Sequence, residues 1–513
     1  MILNQSKNMS KRSNITHINQ HQSKASLFEQ GLILQRKGKL HAAITTFERL
    51  LQNEPKNYLG RLHLGISQLL NNDFINASKV LHLLHEEQPD NIDVLRLCAN
   101  AYAKLGQFSL AIQFLKRAIK IDPQDFETWL NLTSAAASNQ QNTDSLYYAT
   151  QAISIQPTDA RAHLNLGGAL SSAGRYDDAL YCFETALKLD PKNISALSNS
   201  ALIFEKKGDL DTALKYLNHC KKLVPKGSQE EAELNYKMSY PYLSQGNLEN
   251  GWAMYEYGFK PNNLLSRGPK RKFLVPKWRG EPIHGKKLLV WREQGLGDEL
   301  MFAHTLPEVL AYCDDVIVEC ESRLVTLFQR SFPNCLVRPQ NFVPLTGLTP
   351  KEDFDFHIAA GSLLNIFRSD ISDFERNVPY LKPDTLRVAD FKKRLMSYKP
   401  KKIVGICWRS GNISTERNVH YAALSSWKPI FEINNTVFVN LQYGDCQKEI
   451  IDAKEMMGVE IINWSDIDLR NDLEGVAALI ANLDCVVSVG TAVAQMTGAL
   501  GVSFLLITTK SVA

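Results

Sequence analysis

Prolines 55, 89, 123, 157, 191 and 225 follow one another at a constant spacing of 34 residues. A fixed period constrains the fold more than composition does, because self-similar segments must stack on their neighbours to bury an apolar face. With proline counted as position 32, Gly31, Gly65 and Gly167 fall at position 8, and Ala43, Ala77, Ala111, Ala179 and Ala213 at position 20. Gly38, Gly106, Gly174 and Gly208 fall at position 15, Phe47 and Phe183 at 24, and Ala118, Ala152 and Ala186 at 27. Small side chains at 8 and 20 let two helices cross closely. Glycine at 15 ends the first helix in a left-handed conformation. Proline closes the second helix and begins the next connection.

This pattern resembles the tetratricopeptide repeat over residues 24–257. Six copies keep the register, with Ala99, Thr133 and Ala201 in place of glycine and Ser145 in place of alanine. A degraded seventh copy, ELNYKMSYPYLSQGNLENGWAMYEYGF, carries Gly246 and Gly251, and its Pro241 disturbs the first helix. The resemblance implies an α-solenoid over residues 24–258 whose concave face holds a protein or peptide. Asn165 and Asn199 are candidates for hydrogen-bonding a peptide backbone, or are solvated helix positions.

The 513 residues suggest about three domains at ~150 residues each. Hydrophobic residues at 44% and charged residues at 22% are ordinary globular values, which exclude collagen-like, disordered and disulfide-scaffold classes. A net charge of +4 argues against a dedicated nucleic-acid binder. The nine cysteines are scattered, odd in number and form no CxxC, the usage of reduced thiols in a cytoplasmic protein; without zinc spacing, no metal is expected. Residues 1–23 are polar, with no apolar block behind their charges, and are expected to form a disordered tail rather than a secretory signal. No run of about 18 apolar residues predicts a membrane span.

The period stops near residue 259. Residues 259–285, rich in Pro, Gly and basic side chains, are expected to form a linker. Its Arg267-Gly-Pro-Lys270-Arg271-Lys272 run could meet phosphate or nucleic acid, but charge runs are usually solvated, and the solvated reading is preferred. Trp278 with Phe273, Leu274 and Val275 predicts packing across a neighbour. Beyond Lys287, short apolar runs alternate with helical patterns. Strands are predicted at 288–291, 316–320, 335–339 and 354–359, and after the spacer VPYLKPD at 403–408, 436–443, 460–464, 485–490 and 503–508. Helices are predicted near 421–433, 446–457, 473–483 and 491–500. Such alternation implies parallel sheets. Two series imply two Rossmann-like lobes, 286–385 and 386–513, with ligands at the carboxyl ends of the strands.

The motifs lie at those strand ends. After the first strand, Gly295-Leu-Gly297-Asp298 opens a helix; glycines admit close backbone approach, and Asp298 can cap the helix or accept a proton from a hydroxyl. After IVGICW, a polar loop holds Arg409, Ser410, Gly411, Arg417 and His420, either phosphate contacts or a surface loop. Gln442 and Asp445 follow the next strand. Asp466, Asp468 and Asp472 precede a helix, Asp472 being the simplest cap, and the others are solvated or bind a nucleoside. Gly490-Thr491-Ala492 would aim backbone N–H groups at an anion from a small-residue helix, or serve packing alone.

The segment WREQGLGDELMFAHTLPEV resembles the first strand-turn-helix of heptosyltransferase-like glycosyltransferases (family 9), with Gly297-Asp298 and Pro307 at the matching places. The order of motifs is also similar in layout to protein O-linked N-acetylglucosamine transferases. The resemblance implies an N-terminal tetratricopeptide solenoid followed by a two-lobed GT-B fold. It implies an inverting, metal-independent glycosyltransferase with no cofactor and a nucleotide sugar as substrate. Asp298 would be the base, with Gly295 and Gly297 on the acceptor side. Arg409, Arg417, His420, Gln442, Gly490, Thr491 and Ala492 would face the donor. The family's Asp-Thr turn and helix His are here Gly490-Thr491 and Gln495, so the donor contacts must differ. Related proteins continue past the last strand with a Trp-containing loop and a final helix, whereas this chain stops at FLLITTKSVA, so the second lobe is expected to be truncated. The alternative expectation is a non-catalytic repeat adaptor with a decayed C-terminal domain.

Overall fold

In the computed structural model, residues 26–259, 267, 271–340, 353–374, 378–411, 421 and 423–508 are described. The chain forms two compact units, residues 1–191 and 192–513.

The first unit consists of five antiparallel helical hairpins among its described residues, from Leu27–Arg36 and Leu40–Asn53 to Ala160–Ser172 and Tyr176–Leu189. The repeat positions act as their chemistry requires. A Cβ on Gly31 would lie 2.5 Å from Phe47 Cε1, and one on Gly167 the same distance from Phe183 Cε1, so position 8 is the floor on which the position-24 ring rests. Position 15 is left-handed in every one of these copies: Gly38, Gly106 and Gly174 at φ +71° to +75°, Asn72 at +61° and Gln140 at +59°. Where position 20 is serine, Ser145 Oγ donates to the Thr133 carbonyl at 3.0 Å, so its buried hydroxyl is satisfied. Asn165, half-buried, donates to the Leu130 carbonyl at 3.3 Å.

The second unit begins with two more hairpins, Ile194–Lys206 with Leu210–Leu223 and Gln229–Ser244 with Leu248–Tyr255. Pro241 sits inside the Gln229–Ser244 helix without ending it. Strands β1 (Lys287–Trp291), β2 (Asp315–Cys320), β3 (Cys335–Pro339) and β4 (Phe356–Ala359) form a parallel sheet of order β3-β2-β1-β4. Strands β5 (Lys402–Cys407), β6 (Thr436–Asn440), β7 (Ile461–Ile462), β8 (Cys485–Val489) and β9 (Phe504–Ile507) form a second, of order β7-β6-β5-β8-β9, also parallel. One apolar core runs from Leu288 and Val290 under the first sheet to Ile403, Val439 and Val486 of the second. The connector ties both, with Tyr380 and Leu381 N–H donating to the Ala499 carbonyl and Tyr380 Oη to the Leu300 carbonyl.

The 259–285 segment corrects the solvated-linker expectation. Arg267 is fully buried; its guanidinium bonds Glu293 and Glu256 and lies 3.8 Å and 4.0 Å from the Tyr255 and Phe259 ring centroids. Arg271 is buried against Glu319 at 2.6 Å. Trp278 is fully buried, and its N–H extends the first sheet beyond β4 by donating to the His357 carbonyl. A buried charge survives only when paired and hydrogen-bonded, and the acidic partners come from β2, the end of β1 and the last hairpin. The compact unit therefore starts before the last two hairpins rather than at residue 259.

Candidate functional site between the two sheets

A cleft of about 740 Å³ opens where the carboxyl ends of the two sheets approach each other. One wall is the turn after β1. Gly295 is the N-cap of the helix Leu296–Phe302, and the third residue of that helix, Asp298, reaches back so that its Oδ2 accepts the Gly295 N–H at 3.0 Å. Asp298 is thus not the N-cap itself; its carboxylate bonds back to the N-cap residue from the N3 position and lines the cleft. The opposite wall is the turn after β8, where Thr491 holds the N-cap position of the helix Ala492–Ala499 without a side-chain bond to its first turn. The two helices touch at their first turns: a Cβ on Gly297 would stand 3.6 Å from Ala492 Cα and 3.7 Å from Gln495 Cγ. Any larger residue at 297 would narrow the cleft at that point.

Gly490, Thr491, Ala492 and Gln495 line the cleft together with Gly295, Gly297 and Asp298. Thr491 is buried, with its hydroxyl 3.1 Å from Ser488 Oγ. Gly490 has open space where a Cβ would stand. The structure thus brings seven residues from two distant segments to one cavity, through the contact between the two helices.

Other candidates are placed differently. Gln442 is buried and structural: its Oε1 accepts the Trp408 and Arg409 N–H groups at 3.1 and 2.9 Å, and its Nε2 donates to the Tyr443 carbonyl. It shapes the loop that carries Ser410 and Gly411 into the cleft. Arg409 is turned to Glu449 at 2.6 Å and to the Asp445 carbonyl, and is not among the lining residues; the Glu449 bond holds its pKa above the usual arginine value. Arg417 and His420 lie outside the described residues. Asp472 is the cap of the helix Leu473–Ile480, accepting the Gly475 N–H at 3.0 Å, and it forms an ion pair with Arg387. Asp466 pairs with Arg394 at 2.8 Å, and Asp468 accepts the Arg470 and Asn471 N–H groups.

Sequence reading missed the cations of the cleft. Arg323 and Arg470 line it from opposite sheets, and Arg323 Nη1 donates to the Arg470 carbonyl at 2.6 Å. Tyr443 also lines it, its ring packed where a Cβ on Gly411 would sit. Arg323 lies in no motif, and Arg470 sits unremarked between Asp468 and Asp472, so only chain folding brings the two together. Next to Asp298, Glu299 is buried against Arg292 and accepts the Glu321 N–H; burial pushes its carboxyl up to about 7. A second cavity of about 430 Å³, lined by Asn440, Asp445, Asn463, Trp464 and Asn471, shares Gly444, Leu469 and Arg470 with the cleft. Among the described residues no group of three His, Cys, Asp or Glu side chains could hold a metal ion, and no helix is long and apolar enough to cross a membrane.

Tetratricopeptide repeat family models match residues 25–57, 68–136, 160–193 and 182–215. Protein FlbA of Caulobacter vibrioides is similar at 35% identity over 297 residues, 56% of this chain and 50% of FlbA. The chain thus spans about half the length of that relative. Among solved structures, a tetratricopeptide repeat protein from Parabacteroides merdae is 17% identical with a TM-score of 0.40, covering 45% of this chain and 90% of that one. MamA is 25% identical with a TM-score of 0.28, covering 31% and 94%. The hairpins matched by these family models are therefore tetratricopeptide repeats, a module that binds proteins or peptides.

Proposed function

We propose that the chain is a glycosyltransferase of the GT-B type, inverting and independent of metal, that moves a sugar from a nucleotide sugar to a protein or glycan acceptor held by the repeats. The observation that carries this reading is the convergence of Asp298 and the Gly490–Ala492 turn on one cleft at the carboxyl ends of two parallel sheets. In the proposed step, Asp298 takes the proton of the acceptor hydroxyl while that oxygen bonds to the anomeric carbon from the face opposite the leaving group. The C–O bond to the nucleoside diphosphate breaks, and the departing charge meets the N-terminus of the helix Ala492–Ala499 and the two cleft arginines, Arg323 and Arg470. The nine cysteines, all free thiols, fit a cytoplasmic setting.

The test is transfer from a panel of nucleotide sugars by the parent and by Asp298→Asn and Asp298→Ala. A positioned base contributes roughly 10²–10⁴-fold, so both variants should lose transfer on that scale while still binding the nucleotide. Transfer that survives both substitutions sinks the base assignment.

A second reading has its own observation. Arg409 and Gln442 spend their hydrogen bonds inside the second lobe, which suits a repeat adaptor whose C-terminal domain no longer turns over substrate. Failure of every nucleoside diphosphate to bind in calorimetry favours it.

A further inference from the structure

Gln294, immediately before the Gly295–Asp298 turn, has φ +48°, a conformation glycine adopts freely and other residues resist. Glycine would meet that angle at lower cost, and what distinguishes Gln294 is what its side chain contacts. Its Nε2 donates to Tyr255 Oη at 3.2 Å, and Tyr255 in turn packs on Tyr236. Both tyrosines belong to the last helical hairpin, their rings 5.7 Å apart. The Gln294 N–H donates to the Arg267 carbonyl at 3.2 Å. Arg267 is itself fixed by Glu293 at 2.7 Å and stacks on Tyr255, while Glu293 also accepts the Gly361 N–H at 2.6 Å. Behind the turn, Trp252 and Leu248 of the hairpin share an apolar cluster with Phe302 at the end of the turn's helix. Glu293 and Gln294 are thus tied to the hairpin through Arg267 and Tyr255, and the apolar cluster ties the hairpin to the far end of the turn's helix.

We propose that Gln294 is a positioning residue through which the last repeat hairpin sets the geometry of the Gly295–Asp298 turn. A rotation of the Tyr236–Tyr255 pair would move the Gln294 amide and, through a backbone already in a sparsely populated region, the carboxylate of Asp298. What the last hairpin holds could thereby alter the cleft without touching its ligand. The relevance to catalysis rests on the glycosyltransferase reading; the mechanical link does not.

The experiment is hydrogen exchange on the full chain at the Gly295 and Glu299 amides, both bonded inside the turn. Gln294→Gly keeps the left-handed backbone and deletes the side chain. Gln294→Asn tolerates the same φ but shortens the reach, and Tyr255→Phe removes only the hydroxyl. With unchanged global unfolding midpoints, all three should exchange at these amides about tenfold faster, as expected of a local opening. Exchange within about twofold of the parent in all three overturns the proposal. In the same proteins, uridine and guanosine diphosphate are titrated calorimetrically. Faster exchange with neither nucleotide bound by the parent leaves the positioning role standing and counts against the transferase reading. Where transfer is found, the variants should lower kcat more than they raise KM, with the unchanged unfolding midpoints showing that the folded fraction is the same.

Discussion

At the scale of single residues, the repeat carries its constraint in backbone angles as much as in side chains. Position 15 needs φ near +70°, and two copies meet that need without glycine, at Asn72 and Gln140. A left-handed non-glycine residue costs roughly 1–2 kcal/mol, and asparagine least of all. Gln140→Gly should therefore raise the urea midpoint of the solenoid transition by the equivalent of about 1 kcal/mol, and Asn72→Gly by less. An unchanged or lowered midpoint for Gln140→Gly would show that its side chain contributes more than the angle costs. Position 8 gives the reverse expectation. Gly167→Ala drives a methyl to 2.5 Å from the Phe183 ring, so it should destabilise by about 1–3 kcal/mol. Phe183→Leu in the same chain should recover part of that loss, and a double-mutant cycle reads the coupling.

Among the elements, the sequence was most legible where one physical cause dominates. Strands β1, β2, β5 and β8 are continuous apolar runs covered on both faces, and they appear within a residue of their expected places. Strand β6 stops at Asn440, three residues early, because the Asn440 side chain accepts the Gln442 N–H and turns the chain. Asp472 was legible as a cap, since a cap acts within one turn of its own helix. Arg267 was not, because its carboxylate partner is 26 residues away and a charge run looks the same solvated or paired. The orientation of Arg409 toward Glu449, 40 residues on, was hidden for the same reason. Glu299 offers a test at this scale. Burial raises its folded pKa to about 7 from an unfolded value of 4.5. The folded state therefore binds its proton more tightly, and the stability it supplies is complete below pH 4.5 and lost as pH rises through 7. The stability of the parent minus that of Glu299→Gln should fall between about pH 5 and pH 8. A difference that stays flat over that interval, measured by urea unfolding at each pH, removes Glu299 as the source.

On the whole-molecule scale, the chain divides at residue 191 although its repeat period runs on to Pro225. The period reports which segments share a local structure, whereas the division reports where contacts are dense. The two disagree because the last hairpin and the residue after it pack on the elements around the first sheet: Trp252 with Phe302, Tyr255 with Arg267, and Glu256 with Lys277 and Ser362. Repeat modules ordinarily add nearly independent nearest-neighbour terms; here the last hairpin also supplies partners for a buried cation. Cutting the chain at each boundary separates the alternatives. A fragment of residues 192–513 keeps every partner of Arg267 and should unfold in one cooperative transition. A fragment of 260–513 loses the Tyr255 and Phe259 rings and the Glu256 carboxylate, and uncovers Phe302. Breaking a buried ionic cluster in this way costs on the order of 3–5 kcal/mol, a large fraction of the 5–15 kcal/mol that typically separates folded from unfolded states. The shorter fragment should therefore melt at a markedly lower temperature, or show no cooperative transition by near-ultraviolet circular dichroism. Equal midpoints for the two fragments would mean that the sheets hold their own fold and that the hairpin only rests against them. In that case the link from the hairpin to the Asp298 turn would lose its structural basis.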